Sequence, residues 1–253
     1  MNLIGFRTLF AKETMRFFKV YLQTLGAPLI TAVLYLLIFA HVLEGRAEAY
    51  PGLGYTAFLL PGLIMMSMIQ NSFANSSSSL IQSKIVGNLF FVLVTPLSNI
   101  EIFLAFTLAA VTRGIVVGLG VYLIGWFFTA LPIEHLFLTV AFTVLSTFAC
   151  AAMGVIAGIW AEKFDQMAGV TNFLITPLSF LSGVFYSIHS LPEFWQKLSR
   201  LNPFFYMIDG FRFGFHGTSD VAPSIGLAVL SGWVLVLSAI SLTLLNSGYK
   251  LRD

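Results

Sequence analysis

Charged residues are scarce in this sequence of 253 residues. Asp, Glu, Lys and Arg make up 9% of it, whereas soluble globular chains carry about 25%. Hydrophobic residues make up 58%, which is more apolar surface than a soluble chain of this length can bury in one core. The sequence therefore predicts an all-α polytopic membrane protein, folded as one domain over residues 1–253. Its net charge of +2, without a dense basic patch, argues against a nucleic-acid partner.

The sequence also lacks the motifs of common catalytic sites. It contains no P-loop (G-x-x-x-x-G-K-[ST]), no H-E-x-x-H and no G-x-S-x-G. Its one cysteine, Cys150, leaves no second thiol for a disulfide or a metal site, and the apolar run around it predicts a buried packing residue. The four histidines are scattered and have no ligand spacing: His41, His135, His189 and His216. We expect no catalysis by this chain, no metal and no bound cofactor.

What the sequence has in abundance is long apolar stretches. A helix of about 20 apolar residues crosses the hydrocarbon layer. Six stretches approach or exceed that length: residues 20–43, 55–75, 102–129, 136–160, 168–187 and 222–245. The A-x-A sequence at 47–49 is not a signal cleavage site, because the apolar run before it exceeds the ~7–15 residues of a signal peptide. We predict six transmembrane helices, which place both termini on the same side of the membrane.

The orientation is predicted from lysine and arginine near the span ends, since these residues are enriched on the cytosolic side. With the N-terminus inside, the cytosolic side holds eight of them: Arg7, Lys12, Arg16, Lys19, Lys84, Lys163, Lys250 and Arg252. The outer side holds four: Arg46, Lys197, Arg200 and Arg212. We therefore expect cytosolic termini.

Residues 1–19 form a separate amphipathic segment. On a helix, four apolar residues fall within an arc of roughly 60°: Leu3, Phe6, Phe10 and Phe17. Three basic residues lie on the opposite side: Lys12, Arg16 and Lys19. This pattern predicts an interfacial helix in the membrane plane, in contact with lipid. The alternative is a basic flank that only sets the orientation.

Polar and charged residues occur inside two of the predicted spans. The second span carries Gln70, Asn71 and Asn75, followed by the four serines 76–79. Lipid offers amides and hydroxyls no partner, so these side chains either bond across helices or face a cavity or a dimer seam. Arg113, in the third span, is predicted to pair with Asp165, Glu162 or a polar group of the second span, or else to contact substrate.

Two further segments interrupt the spans. In residues 80–100, polar and apolar residues alternate as in a short amphipathic cytosolic helix, which ends at the turn 93–98; the alternative is a plain interfacial loop. Residues 175–212 begin as an apolar span and then break into a proline- and aromatic-rich stretch. Prolines there exclude a continuous crossing, so residues 188–221 predict a re-entrant hairpin at the outer membrane face, after the fifth span.

The stretch 175–212 resembles the signature of type-2 ATP-binding-cassette export permeases of the bacterial inner membrane. Small, apolar and proline positions match it in order: Ile175, Leu178, Leu181, Ser182, Val184, Leu191, Pro192, Pro203, Phe204, Tyr206 and Arg212. The structural signature of the stretch comprises Pro177, Gly183, Pro192, Pro203, Tyr206 and Arg212. The resemblance extends over almost the whole chain. It implies a permease that works as a homodimer with separate ATPase subunits, which bind the ATP and Mg.

The resemblance also implies roles for individual residues. The helix within 80–100 and the N-terminal helix would contact the ATPase through a set of coupling residues: Gln82, Lys84, Ile85, Asn88, Phe90, Phe91, Lys12 and Arg16. Family members often carry acidic residues where this chain has Phe90 and Phe91, which suggests either a more apolar docking site on the ATPase or a distinctive ATPase partner. The export pathway or its gate would lie at the dimer seam and use six residues: Gln70, Asn71, Asn75, Phe180, Phe185 and Tyr186.

Two other functions fit a six-span shape. A secondary transporter needs ionisable residues near the midplane or broken helices in both halves, and here only Arg113 is deep and only one span is broken. A membrane assembly factor without catalysis is less well supported. The 26 phenylalanines, against 8 tyrosines and 4 tryptophans, favour an apolar or amphiphilic cargo over others.

Overall fold

The fold is helical in the computed structural model, which describes residues 2–43, 50 and 52–251. Within these residues no β-strand is present, apart from an isolated bridge between Tyr50 and Leu53. The α-helices are α1 (Leu3–Lys19), α2 (Ala27–Leu43), α3 (Tyr55–Ile85), α4 (Asn88–Val94), α5 (Asn99–Gly125), α6 (Leu136–Trp160), α7 (Phe164–Val170), α8 (Thr176–Phe180), α9 (Glu193–Leu201), α10 (Pro203–His216) and α11 (Pro223–Ser247). A π-helical segment, Leu22–Gly26, leads into α2, and a second, Thr171–Ile175, joins α7 to α8.

Five helical segments of the described chain are long and apolar enough to cross a membrane. They are Leu22–Phe39, Tyr55–Ile85, Asn99–Gly125, Leu136–Trp160 and Pro223–Ser247. The predicted span 168–187 is not among them, because the path through α7, the π segment and α8 has only seven, five and five residues. At 1.5 Å per residue this is about 26 Å, short of the ~30 Å hydrocarbon layer. The chain leaves the helix at Leu181 and turns at Gly183, whose φ of +73° is left-handed.

Helix α3 forms the centre of the fold, and α5 and α6 pack along its two sides. Small residues let the backbones approach closely. A β-carbon on Gly154 of α6 would lie 2.1 Å from Ser76 Oγ and 2.5 Å from the Phe73 carbonyl oxygen of α3. Glycine at this position therefore permits the close packing of α6 on α3. Cys150 is fully buried in the same region, as expected.

The second span continues ten residues beyond its predicted end at Asn75. Its serines do not interrupt the helix, because they bond to carbonyl groups: Ser77 Oγ donates to Phe73 O at 2.7 Å, and Ser76 Oγ to Ala151 O of α6 at 2.8 Å. The expected separate helix starting near residue 80 is thus wrong. The segment 80–100 contains the last turn of α3, a left-handed turn at Gly87 and the short helix α4.

Helix α1 lies against α5, but it presents a different face from the predicted one. The buried residues are Leu9, Glu13 and Phe17, whereas Leu3 is exposed. Lys12 is half exposed, as expected of a basic outer face, but Arg16 turns toward α3. The pattern of apolar residues did not predict which face of α1 is buried, because the inward face carries the charged pair Glu13 and Arg16.

The predicted hairpin 188–221 is a pair of helices, α9 and α10. Asn202 caps α10 with a side-chain oxygen that accepts from Phe204 N at 3.0 Å, and Pro203 occupies the first helical position. Helix α10 is buried against α3 and α6, so Arg212, counted above as an outer flank cation, is an interior residue with 1% exposure. Arg46 and Arg252, also used in the orientation argument, lie outside the described residues.

Candidate translocation cavity

A cavity of about 570 Å³ lies between the first helices and the core pair α3 and α5. One wall comes from the C-terminal part of α1, the π segment and α2, and the other from one face of α3 together with Arg113 of α5. The polar and charged lining residues are Arg16, Gln23, Thr24, Thr31, Tyr35, Ser67, Gln70, Asn71, Ser78 and Arg113. Two of the three predicted pathway amides, Gln70 and Asn71, line this cavity.

Arg113 is paired with an amide inside the cavity. Its Nη2 donates to Asn71 Oδ1 at 2.9 Å, and Asn71 Nδ2 in turn donates to the Ser67 carbonyl oxygen at 3.0 Å. A polar group of the second span was one of the partners expected from the sequence. Asn71 is a neutral acceptor, so this bond orients the guanidinium without neutralising its charge.

Arg16 approaches the same cavity from α1. Its Nη2 donates to the Asn75 carbonyl oxygen at 2.8 Å and to Asn75 Oδ1 at 3.2 Å. Its Nε lies 3.5 Å from the buried carboxylate of Glu13, which also accepts a short bond from Ser79 Oγ. Burial lowers the pKa of the Arg16 guanidinium, and the Glu13 carboxylate opposes that shift. Asn75 therefore connects α3 to α1 by hydrogen bonds, and it is not among the residues that line the cavity.

The π segment brings polar side chains of the first span into the cavity. Thr24 Oγ1 donates to Phe17 O and to Val20 O, both at 3.1 Å, which satisfies carbonyl groups where the helix pattern changes. Gln23 and Thr24 line the cavity from this segment. π-helical turns are rare and occur often at functional sites. The sequence analysis did not identify these two residues.

The predicted aromatic gate lies beside this cavity. The Phe180 and Phe185 rings stack with centroids 5.5 Å apart, and Phe185 lies 5.6 Å from the ring of Tyr35, itself a lining residue. Tyr55 holds this turn by donating from its hydroxyl to Phe185 O at 2.9 Å. Tyr186 is half-buried. Tyr35 thus connects the two groups of predicted pathway residues.

Two of the signature residues, Arg212 and Gly183, are joined by a hydrogen bond in the interior of the protein. Arg212 Nη2 donates to the Gly183 carbonyl oxygen at 2.7 Å and its Nε to Phe58 O at 3.3 Å, while its guanidinium stacks 3.8 Å from the Phe58 ring centroid. Tyr206 donates to Arg200 O at 2.9 Å. Arg212 therefore fixes the turn after α8 against α3 and α10.

Comparison with known proteins identifies the family. The profile of the ABC-2 type transporter family matches residues 5–216. The inner membrane transport permease YadH of Escherichia coli is 39% identical over 251 residues, covering 99% of this chain and 98% of YadH. The capsule polysaccharide export inner-membrane protein CtrC of Neisseria meningitidis is 28% identical over 202 residues, covering 79% of this chain and 71% of CtrC. BexB of Haemophilus influenzae, of the same description, is 27% identical over 197 residues, with 76% and 71% coverage.

The chain belongs to the ABC-2 type transporter family. It is a membrane permease subunit of an ATP-binding-cassette exporter, as the resemblance predicted, and not a secondary transporter. Membership implies association with an ATPase subunit. Within the described residues, no group of three or more His, Cys, Asp or Glu side chains is placed to hold a metal.

The predicted coupling residues do not share one surface. Gln82, Ile85 and Asn88 are exposed around the turn at Gly87, and Phe90 and Phe91 are 64% and 70% exposed. Lys84 instead donates to Ile159 O at 2.7 Å and Ala161 O at 2.8 Å, at the C-terminal end of α6. It therefore binds carbonyl groups at the C-terminal end of a helix, where a cation is favourable.

Sequence reasoning missed two aspartates whose carboxylates are buried, Asp209 and Asp220. Asp220 accepts from the Tyr50 hydroxyl and from Ser187 Oγ, both at 2.7 Å, and from Ile188 N at 2.8 Å. Asp209 accepts from Asp220 N at 2.8 Å and from Val221 N at 3.0 Å. Their position within the predicted hairpin 188–221 gave no signal of burial, because each partner is far away in sequence or is a backbone N–H group.

Proposed function

We propose that two copies of this permease form an export pathway, which is driven by two separate ATPase subunits on the cytosolic side. The observation that carries the proposal is the polar cavity of each copy, beside the Phe180–Phe185 stack. Polar side chains at membrane depth need protein or water around them. A second copy across the cavity side would shield them from lipid and close a pathway at the seam.

We propose that the ATPase binds at an apolar surface made of α4 and the preceding turn. Ile85, Val86, Phe90, Phe91 and Val94 are each more than half exposed there. Exposed apolar residues that cluster in a short helix outside the long spans are typical of a protein interface. We propose in addition that both termini are cytosolic, that α1 is interfacial, and that the α9–α10 pair lies at the outer face. Two relatives named for capsule polysaccharide export support the outward direction.

Affinity purification of the tagged permease from its native membrane, in mild detergent, tests the assembly. We expect an ATP-binding-cassette ATPase in equal amount, ATP hydrolysis in the purified complex, and a mass of two permeases with two ATPases. Replacing Phe90 and Phe91 with glutamate should remove the ATPase, because the charges would have to be buried at the interface. The matched control is Phe194→Glu in α9, an aromatic residue of similar exposure, 70%, outside the proposed interface.

The outcomes separate the parts of the proposal. Recovery of the ATPase with the double variant would show that α4 is not the docking surface. Purification of a stable permease dimer without any ATPase would contradict the proposed assembly. A complex that contains one permease copy would contradict the dimer seam.

A further inference from the structure

The cavity described above has an unbalanced charge. Among the described residues that line it, two are cationic and none is acidic. Arg16 has the Glu13 carboxylate as its counter-ion. Among the described residues, the side-chain partner of Arg113 is the neutral Asn71, which accepts a hydrogen bond from one of the five N–H donors of the guanidinium. Within the described part of the chain, the guanidinium of Arg113 therefore has spare donors and no counter-ion.

Arg113 lies deep along its helix. It is 14 residues from Asn99, where α5 begins, which is about 21 Å at 1.5 Å per residue. An unneutralised arginine at such a depth is costly, because few groups around it can solvate the charge. An anionic group bound beside it would lower that cost. The arrangement is therefore that of a binding site for an anion.

The cavity also changes in polarity along α3. Its lining residues run from Leu63 to Ser78, a distance of about 22 Å. Along the α3 lining, the Ser78 end is joined by Arg16, the middle carries Gln70 and Asn71, and the opposite end carries the apolar Leu63 and Met66. A molecule with a charged head and an apolar tail matches this gradient. The volume of about 570 Å³ is within the ~300–1,000 Å³ range of ligand pockets.

We propose that this cavity binds the phosphate group of an anionic amphiphile, with Arg113 as the counter-ion, Asn71 as the residue that positions it, and the tail toward Leu63 and Met66. The inference rests on the proposed function, since it names the substrate class of the same pathway. A free phosphate ion shares the chemistry of the head and is distinguished by the test. The bond to Asn71 holds one edge of the guanidinium and leaves the other donors for two phosphate oxygens.

The test measures binding to the purified permease alone, in the neutral detergent dodecyl maltoside, by titration with dodecyl phosphate. Because no ATPase is needed, failure of binding and failure of the proposed assembly are separate results. We expect saturable binding of dodecyl phosphate that weakens with salt. Arg113→Gln should weaken it tenfold or more, and Arg113→Lys by less, because lysine keeps the charge but loses the planar fork. The matched control, Arg200→Gln in α9, should bind as the wild type does.

A second variant keeps the arginine in place. Asn71→Asp puts a carboxylate at hydrogen-bond distance from Arg113 and should abolish binding by supplying an internal counter-ion. If Arg113→Gln does not fold, the Asn71→Asp variant still tests the proposal. Wild-type affinity in folded Arg113→Gln or Asn71→Asp protein would overturn the proposal, and so would equal binding of dodecylphosphocholine. Competition by inorganic phosphate at the same concentration as dodecyl phosphate would overturn the amphiphile and leave a free-anion site.

Discussion

The packing of α6 on α3 predicts that Gly154→Ala destabilises the protein. Alanine is the better helix former by about 1 kcal/mol, so an unpacked position would gain stability. Here the new methyl group would lie 2.1 Å from Ser76 Oγ and 2.5 Å from the Phe73 carbonyl oxygen. Forcing a methyl group into such a contact costs roughly 1–3 kcal/mol. Moving Ser76 away breaks its 2.8 Å bond to Ala151 O, at about 0.5–1.5 kcal/mol.

The net effect of Gly154→Ala is a loss of about 1–3 kcal/mol, or roughly 3–10 °C in melting temperature for a chain of this size. The assay is thermal unfolding of the purified permease in detergent, followed by tryptophan fluorescence. The matched control is Gly169→Ala in α7, where an added β-carbon meets nothing within 4 Å. That variant should melt at or above the wild-type temperature.

A double variant tests the cause of the effect. Ser76→Ala combined with Gly154→Ala removes the 2.1 Å contact but leaves the Phe73 carbonyl oxygen at 2.5 Å. It should therefore recover part of the melting temperature relative to Gly154→Ala alone. The reasoning is refuted if Gly154→Ala and Gly169→Ala melt alike, or if the double variant is no more stable than its two single changes predict by addition.

Two further changes compare buried charges with exposed ones. Arg212→Met should cost about 3–5 kcal/mol, because it leaves the Gly183 and Phe58 carbonyl groups without their buried donor, whereas the exposed Arg200→Met should leave the melting temperature unchanged. Equal melting of the two variants would contradict the structural role of Arg212. Glu13→Gln should lower the melting temperature, at about 2–3 kcal/mol, since this buried carboxylate holds Arg16 and Ser79. Glu162→Gln, at an exposed pair with Lys250, should have no measurable effect, and a larger loss there than at Glu13 would refute the burial argument.

The sequence was sufficient to predict the helices whose entire length is apolar. Leu136–Trp160 is α6 within its observed bounds, and the last predicted span differs from α11 by one or two residues at each end. Predictions from length and composition were wrong where the folded protein supplies hydrogen-bond partners for polar side chains. The four serines after Asn75 look like the end of a span. Three of their hydroxyls bond to carbonyl groups and that of Ser79 bonds to the Glu13 carboxylate, so α3 continues to Ile85.

The cavity was only half predictable for a related reason. Amides and an arginine within apolar spans are visible in the sequence, so Gln70, Asn71 and Arg113 could be named. The residues that face them across the cavity could not be named. Gln23 and Thr24 point there because of a π-helical segment, and Arg16 of α1 is held there by a bond to Asn75, 59 positions away. An arginine in a basic N-terminal flank looks like a headgroup contact until the fold supplies a buried acceptor.

The connection of α1 to the start of α5 gives a last prediction. Glu101 accepts from Ser98 N at 2.7 Å and from Ser98 Oγ at 2.8 Å, and one of its oxygens also takes a short bond from Asn2 N. This carboxylate caps α5 and holds the start of α1, while Arg16 holds its end to α3. Hydrogen bonds to a charged group contribute about 1.5–3 kcal/mol.

Glu101→Ala should therefore loosen α1 from its N-terminal end. Amide hydrogen exchange in the first turns of α1 should accelerate about tenfold or more, since each 1.4 kcal/mol of lost protection is a factor of ten. Exchange near Arg16 should change less, because the bonds to Asn75 remain. Glu101→Gln, which keeps the acceptor oxygen without the charge, should give an intermediate rate. Unchanged exchange in the first turns, or acceleration that is equal along the whole of α1, would show that Glu101 does not anchor this helix.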